Sequence, residues 1–112
     1  MSLLLDRGGV RLEASHARLD VTGDVDFDMA AQLAEAGSAW LAEQPSGSRL
    51  ELDLSGVEQV SSAALSVLLE WTRRSRVAGI QIDSVRLSEP LLRLTRVAGL
   101  DSLLPVAEST SS

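Results

Sequence analysis

The stretch LELDLSGVEQVSSAALSVLLEW, residues 50–71, decides the fold. Leu50, Leu52 and Leu54 alternate with Glu51 and Asp53, the period-two pattern of a half-buried strand. Ser55 and Gly56 are expected to break that strand, and Val57 and Val60 to hold the following turn against the core. Ser61 and Ser62 stand directly before an apolar run, where a helix N-cap belongs. Leu65, Leu68, Leu69 and Thr72 then recur at helical spacing. Two small hydroxyls therefore mark the start of a helix whose unpaired backbone N–H groups favour negative charge.

Outward from this stretch, the N-terminal part carries two more alternating runs. Val10, Leu12 and Ala14 alternate with Arg11 and Glu13; Ala17, Leu19 and Val21 alternate with Arg18 and Asp20. With Ser15-His16 between them they predict an antiparallel pair. Gly8-Gly9, inside the run from Leu3 to Ala14, predicts a hairpin turn or bulge. Asp24, Asp26 and Asp28 precede a helix whose apolar stripe is Met29, Leu33, Ala36, Trp40 and Leu41. Carboxylates suit a helix N-terminus, so capping is expected of this cluster rather than metal binding, which would need partner carboxylates or a histidine nearby. Gly37 weakens this helix locally but admits a close neighbour. Gln44-Pro45-Ser46-Gly47-Ser48 is a loop.

Downstream, the second helix is predicted from about Ala63 to Ala78, with Gly79 as its C-terminal cap. Arg73, Arg74 and Arg76 lie in its last turns and complement its dipole. Ile80, Ile82, Val85 and Leu87 form a strand with a register change near Asp83-Ser84. Ser88-Glu89-Pro90 opens a third helix in which Leu91, Leu94, Val97 and Ala98 are expected to face inward. Gly99 ends it, Leu100 makes the accompanying apolar contact, and Leu103 and Leu104 tuck beneath.

The predicted order is ββαβαβα: an α/β fold whose mixed sheet carries its helices mainly on one face. The strand–helix–strand unit from Leu50 to Leu87 is expected to be a right-handed parallel crossover. The 112 residues suffice for one domain, expected over residues 1–107, with 108–112 a frayed polar tail.

Composition narrows the function. Phe27, Trp40 and Trp71 are the chain's aromatic residues, so the core rests on Leu, Val, Ile and Ala. With no cysteine, disulfides and thiolate zinc sites are excluded. The net charge is −6 and every basic residue is arginine, a balance unsuited to nucleic acid. No signal peptide is expected in MSLLLDRGG, and no apolar run approaches the about 20 residues of a membrane span. These features are compatible with a cytoplasmic protein.

The motifs resemble the STAS domain, the family of anti-sigma factor antagonists and related regulatory modules. Asp53, Leu54 and Ser55 match the family's strand end, and Val57 and Val60 its apolar turn positions. Leu65 matches the helix leucine. Ser62 falls on the hydroxyl that the family can phosphorylate. Thr22-Gly23-Asp24-Val25-Asp26 looks like its "G-E-L-D" step, and Leu94, Val97, Gly99, Leu100 and Leu104 its closing helix. Length and the ending GLDSLLP are most similar to the MlaB-type STAS subunit of the Mla phospholipid-transport ABC system. Ser61 replaces the family's usual Asp and Ala64 its usual Gly. The first change removes a carboxylate beside the acceptor hydroxyl, so docking ranks above phosphorylation at Ser62.

Catalysis is not expected. The single histidine, His16, falls in a predicted turn, and no phosphate loop, nucleotide fingerprint or metal-ligand spacing is present. No cofactor is implied. What remains is a contact surface at the Ser62 end of the second helix. Ser62, Ala63, Ser66 and Val67 are expected to point away from Leu65, Leu68 and Leu69, with Glu70 as a rim and Ser61, Asp24 and Asp26 alongside. The resemblance implies an ABC transporter ATPase as the partner, or alternatively an anti-sigma factor kinase that acts on Ser62.

Overall fold

The computed structural model describes residues 2–59 and 61–100. The elements are β1 (Ser2–Arg7), β2 (Val10–Ser15), β3 (Arg18–Asp24), α1 (Phe27–Ala42), β4 (Arg49–Gln59), α2 (Ser62–Ala78), β5 (Gln81–Leu87) and α3 (Glu89–Val97). They form a five-stranded sheet in the order β1-β2-β3-β4-β5. The first three strands are antiparallel neighbours, and β3-β4 and β4-β5 pair in parallel. The mixed α/β class stands as predicted, with one more strand than ββαβαβα. Gly8 and Gly9, at φ 57° and 86°, fold the N-terminal run back on itself and free β1 as a separate strand.

Side-chain alternation explains why the helices lie on one side of the sheet. Val10, Leu12, Ala14, Leu19, Val21, Leu50, Leu52, Leu54 and Val85 are all buried. Their strand neighbours Arg11, Glu13, Arg18, Asp20, Glu51, Asp53 and Arg86 turn to the opposite face, where each is exposed or half-buried. There Arg18 reaches Asp20 at 3.6 Å and Asp53 at 3.5 Å, while Arg49 meets Asp83 at 3.1 Å. Each fully buried leucine on the inner face contributes about 1.5–3 kcal/mol.

Strand β4 differs from its predicted course. Ser55-Gly56 does not end it, because β3 continues to pair alongside through Thr22–Gly56 and Gly23–Val57. The local register shift is absorbed between Asp53 and Gly56, where the Asp53 carboxylate accepts from the backbone N–H (2.9 Å) and hydroxyl (2.6 Å) of Ser55. A Cβ on Gly56 would come within 2.6 Å of the Thr22 methyl, so a side chain there would force Thr22 to shift. Val57 is buried as expected, and Val60 lies outside the described residues. The predicted register change in β5 is present at Asp83, between Leu50–Ile82 and Glu51–Ser84.

The caps fall where the sequence places them. Asp26 caps α1 by accepting from Met29 N–H at 3.0 Å. Ser88 caps α3 ahead of Pro90, and Gly79 ends α2 in the left-handed conformation. Helix α3 is oriented differently from expectation. Leu91 is fully buried, but Thr95, one turn on, takes the next inward position. Its hydroxyl donates to Leu91 O at 2.7 Å, which satisfies the buried oxygen. Leu94 is half-buried, whereas Ala98 is exposed and Val97 is 86% exposed. Leu103, Leu104, the boundary expected at residue 107 and the tail lie outside the described residues.

Candidate functional site: the exposed end of α2

Helices α1 and α2 each follow a parallel strand of the sheet, so both begin at the same end. Two contacts fix them side by side. Ser61 Oγ donates to Val25 O at 3.3 Å, across 36 residues of sequence. Trp71 Nε1 donates to Ala34 O at 3.1 Å, across 37. The near-identical separation means that the helices run parallel and level with each other. Trp71 is fully buried and belongs to the core.

Ser61 is the N-cap, with φ −144° and ψ 173° and its Oγ accepting from Ala63 N–H at 3.2 Å. One hydroxyl thus serves both the helix end and the junction with α1. Ser62 is the first helical residue and is exposed. Its carbonyl accepts the Ser66 hydroxyl at 3.4 Å. The two serines, expected together at the contact surface, therefore differ: Ser61 caps the helix and joins it to α1, and Ser62 faces solvent.

Two of the expected contact residues must be reassigned. Ala63 and Val67 are 4% and 2% exposed and belong to the core. Helix α2 is packed against the sheet below and α1 beside it, so its buried arc is wide: Ala63, Ala64, Leu65, Val67, Leu68, Trp71 and Ser75. The strip left to solvent is Ser62, Ser66, Leu69 and Arg73, spaced by four, three and four residues. Leu69, expected inward, is 38% exposed.

Glu70 borders the strip but is not a free charge. It binds Arg74 at 2.8 Å and Arg73 at 3.0 Å. Hydrogen bonds from Arg74 and then Arg73 hold its carboxyl below the usual carboxylate range. Asp26 is occupied by the α1 cap. Asp24 is half-buried, with its N–H donating to Gly9 O at 3.0 Å, and Asp28 is exposed. His16 is exposed in the β2–β3 turn, far along the sheet from this end. Among the described residues no group of three or more His, Cys, Asp or Glu could hold a metal ion. Among the same residues no helix is long and apolar enough to cross a membrane.

The site also contains a residue that the sequence pattern passed over. Phe27, the first residue of α1, is 71% exposed. It stands outside the stripe Met29, Leu33, Gly37 and Leu41, which recurs every four residues. An aromatic directly after an N-cap and off the apolar stripe is the signal that could have singled it out.

Fold and site together define a small α/β module: an outer sheet face of paired charges, and a helical layer whose leading end presents hydroxyls and one aromatic ring. Residues 9–105 match the family described as "Mlab, STAS domain", and the chain belongs to that family. With it comes a protein-interaction role. The chain is also similar to an anti-sigma factor antagonist from Mycobacterium paratuberculosis known from its crystal structure. The two share 26% sequence identity at a TM-score of 0.68, over 90% of this chain and 86% of that one. Comparison with curated proteins finds no match.

Proposed function

We propose that this is a non-catalytic STAS subunit that binds the cytoplasmic ATPase of a phospholipid-transport ABC complex and supports its assembly or activity. The observation that carries this reading is the match to the Mlab-type family over residues 9–105. The exposed strip from Ser62 to Leu69 supplies the surface. Small hydroxyls at Ser62 and Ser66 let a partner approach the helix closely, and Leu69 gives it apolar area to cover. Such a subunit works by docking, without chemistry of its own. It sits in the cytoplasm and reaches the membrane only through its partner.

Co-purification with the ATPase tests this. Ser62→Arg places a long cation on an exposed position and is expected to abolish the complex while leaving the fold intact. Leu69→Glu is expected to weaken it. A complex that survives both substitutions removes this surface from consideration.

The similarity to an anti-sigma factor antagonist favours a second reading, in which the partner is an anti-sigma kinase and Ser62 is phosphorylated to release it. Up to two added negative charges at the α2 N-terminus would disrupt a docked interface. Intact-mass measurement after incubation with kinase and ATP decides this: an unchanged mass rejects the switch.

A further inference from the structure

We infer that Phe27 is the anchor of this docking surface, and that the partner offers an apolar socket rimmed by lysine or arginine side chains. This rests on the docking reading above but goes beyond it in naming the contact and the chemistry that receives it.

The placement follows from helix geometry. Phe27 precedes Ala34 by seven residues, which puts both on one side of α1. Ala34 is the residue whose carbonyl meets Trp71 of α2. Seven residues before Trp71 is Ala64, in the first turn of α2. Parallel helices held in this register therefore bring Phe27 level with the first turn of α2. The Ser61–Val25 hydrogen bond closes the same junction two residues from Phe27. Ring and hydroxyl thus share one end of one layer, on helix axes about 8–10 Å apart.

The ring is large, rigid and left 71% open, in a chain with three aromatic residues of which Trp71 is wholly buried and Trp40 half-buried. Exposed aromatics of this kind carry a disproportionate share of binding energy at interfaces. The surroundings specify the socket. Asp26 and Asp28 flank the ring in sequence and Asp24 ends β3 three residues before it, all three without a basic partner among the described residues. Arg73 and Arg74, engaged by Glu70, lie about three turns along α2 from Ser62, and Arg7, the basic residue that reaches α1, donates to Gln32 at 3.3 Å. An acidic collar around an apolar knob is complementary to a basic rim around an apolar pocket, and it steers association through charge.

Calorimetric titration of the full chain against the purified ATPase, and separately against the anti-sigma kinase, tests the inference. The ATPase is the occupant proposed; binding of the wild-type chain by the kinase alone overturns that assignment. Phe27→Ala removes an exposed ring, so circular dichroism and melting temperature should be unchanged. Its Kd is expected to rise by about tenfold to a hundredfold. Asp24→Asn/Asp28→Asn should weaken binding at low salt and flatten its dependence on ionic strength. If Ser62→Arg abolishes binding while Phe27→Ala leaves Kd unchanged, the anchor is wrong and the docking surface stands. Affinity indifferent to salt removes the basic rim. If neither protein binds the wild type, both the surface and its anchor fall.

Discussion

Gly37 lies against the indole of Trp71, so closely that a Cβ at position 37 would overlap the six-membered ring. The absence of a side chain on α1 is what lets the largest residue of α2 sink fully into the core and reach Ala34 O. Gly37→Ala should gain about 1 kcal/mol of helix propensity. It should lose about 1–3 kcal/mol or more to overpacking against a ring that has nowhere to move. The net expectation is a destabilised protein, read as a lower denaturant midpoint at unchanged slope. A midpoint equal to or above wild type would show that the two helices can separate at little cost.

The two serines at the head of α2 should behave oppositely. Ser61→Ala deletes the cap to Ala63 N–H and the bond to Val25 O, and is expected to cost about 1 kcal/mol. Ser62→Ala touches an exposed hydroxyl and should stay within about 0.5 kcal/mol. Urea unfolding of both variants checks this. Equal losses would mean that the cap is shared.

Val67 offers a control for surface mutagenesis. At 2% exposure it cannot report on docking. Val67→Glu would bury a carboxylate among apolar neighbours and is expected to unfold the domain or remove several kcal/mol of stability. A Val67→Glu protein that melts like wild type would contradict the placement of α2.

On the open sheet face, Glu13, Asp20 and Asp53 stand on adjacent strands in direct register. Burial pushes the Asp20 carboxyl above the usual carboxylate range; Arg18 opposes this, and Asp53, Glu13 and Glu51 reinforce it. A carboxyl raised in the folded state holds its proton more tightly there than in the unfolded chain. Its contribution to stability is fully present in acid, below its unfolded value, and is lost as pH rises through the raised folded value. Asp20→Asn should therefore stabilise the protein at neutral pH by about 0.5 kcal/mol, and the gain should vanish below pH of about 4. A less stable variant at neutral pH would show that the Arg18 pair outweighs burial.

Local chemistry made much of this structure legible in advance. Asp26, Ser61 and Ser88 cap their helices because a short oxygen-bearing side chain before an apolar run has few other uses. Alternation in β2, β3 and β4 fixed which face would carry the helices. The errors arose where neighbours, not local pattern, decide. Ala63 and Val67 sit on the flank of α2 that α1 covers, and no helical stripe reveals a second wall. Ser55-Gly56 reads as a break until β3 supplies pairing partners on the adjacent edge. Thr95 looks polar but reaches the interior because its own helix accepts its hydroxyl.

The level, parallel setting of α1 and α2 has one more consequence. Pinned at Ser61–Val25 and again at Trp71–Ala34, the pair cannot slide or splay without breaking a bond at one end or opening the core at the other. The spacing between the first turns of the two helices is thereby set during folding. Such a module measures its binding partner like a gauge, selecting by fit with little entropy left to lose on contact.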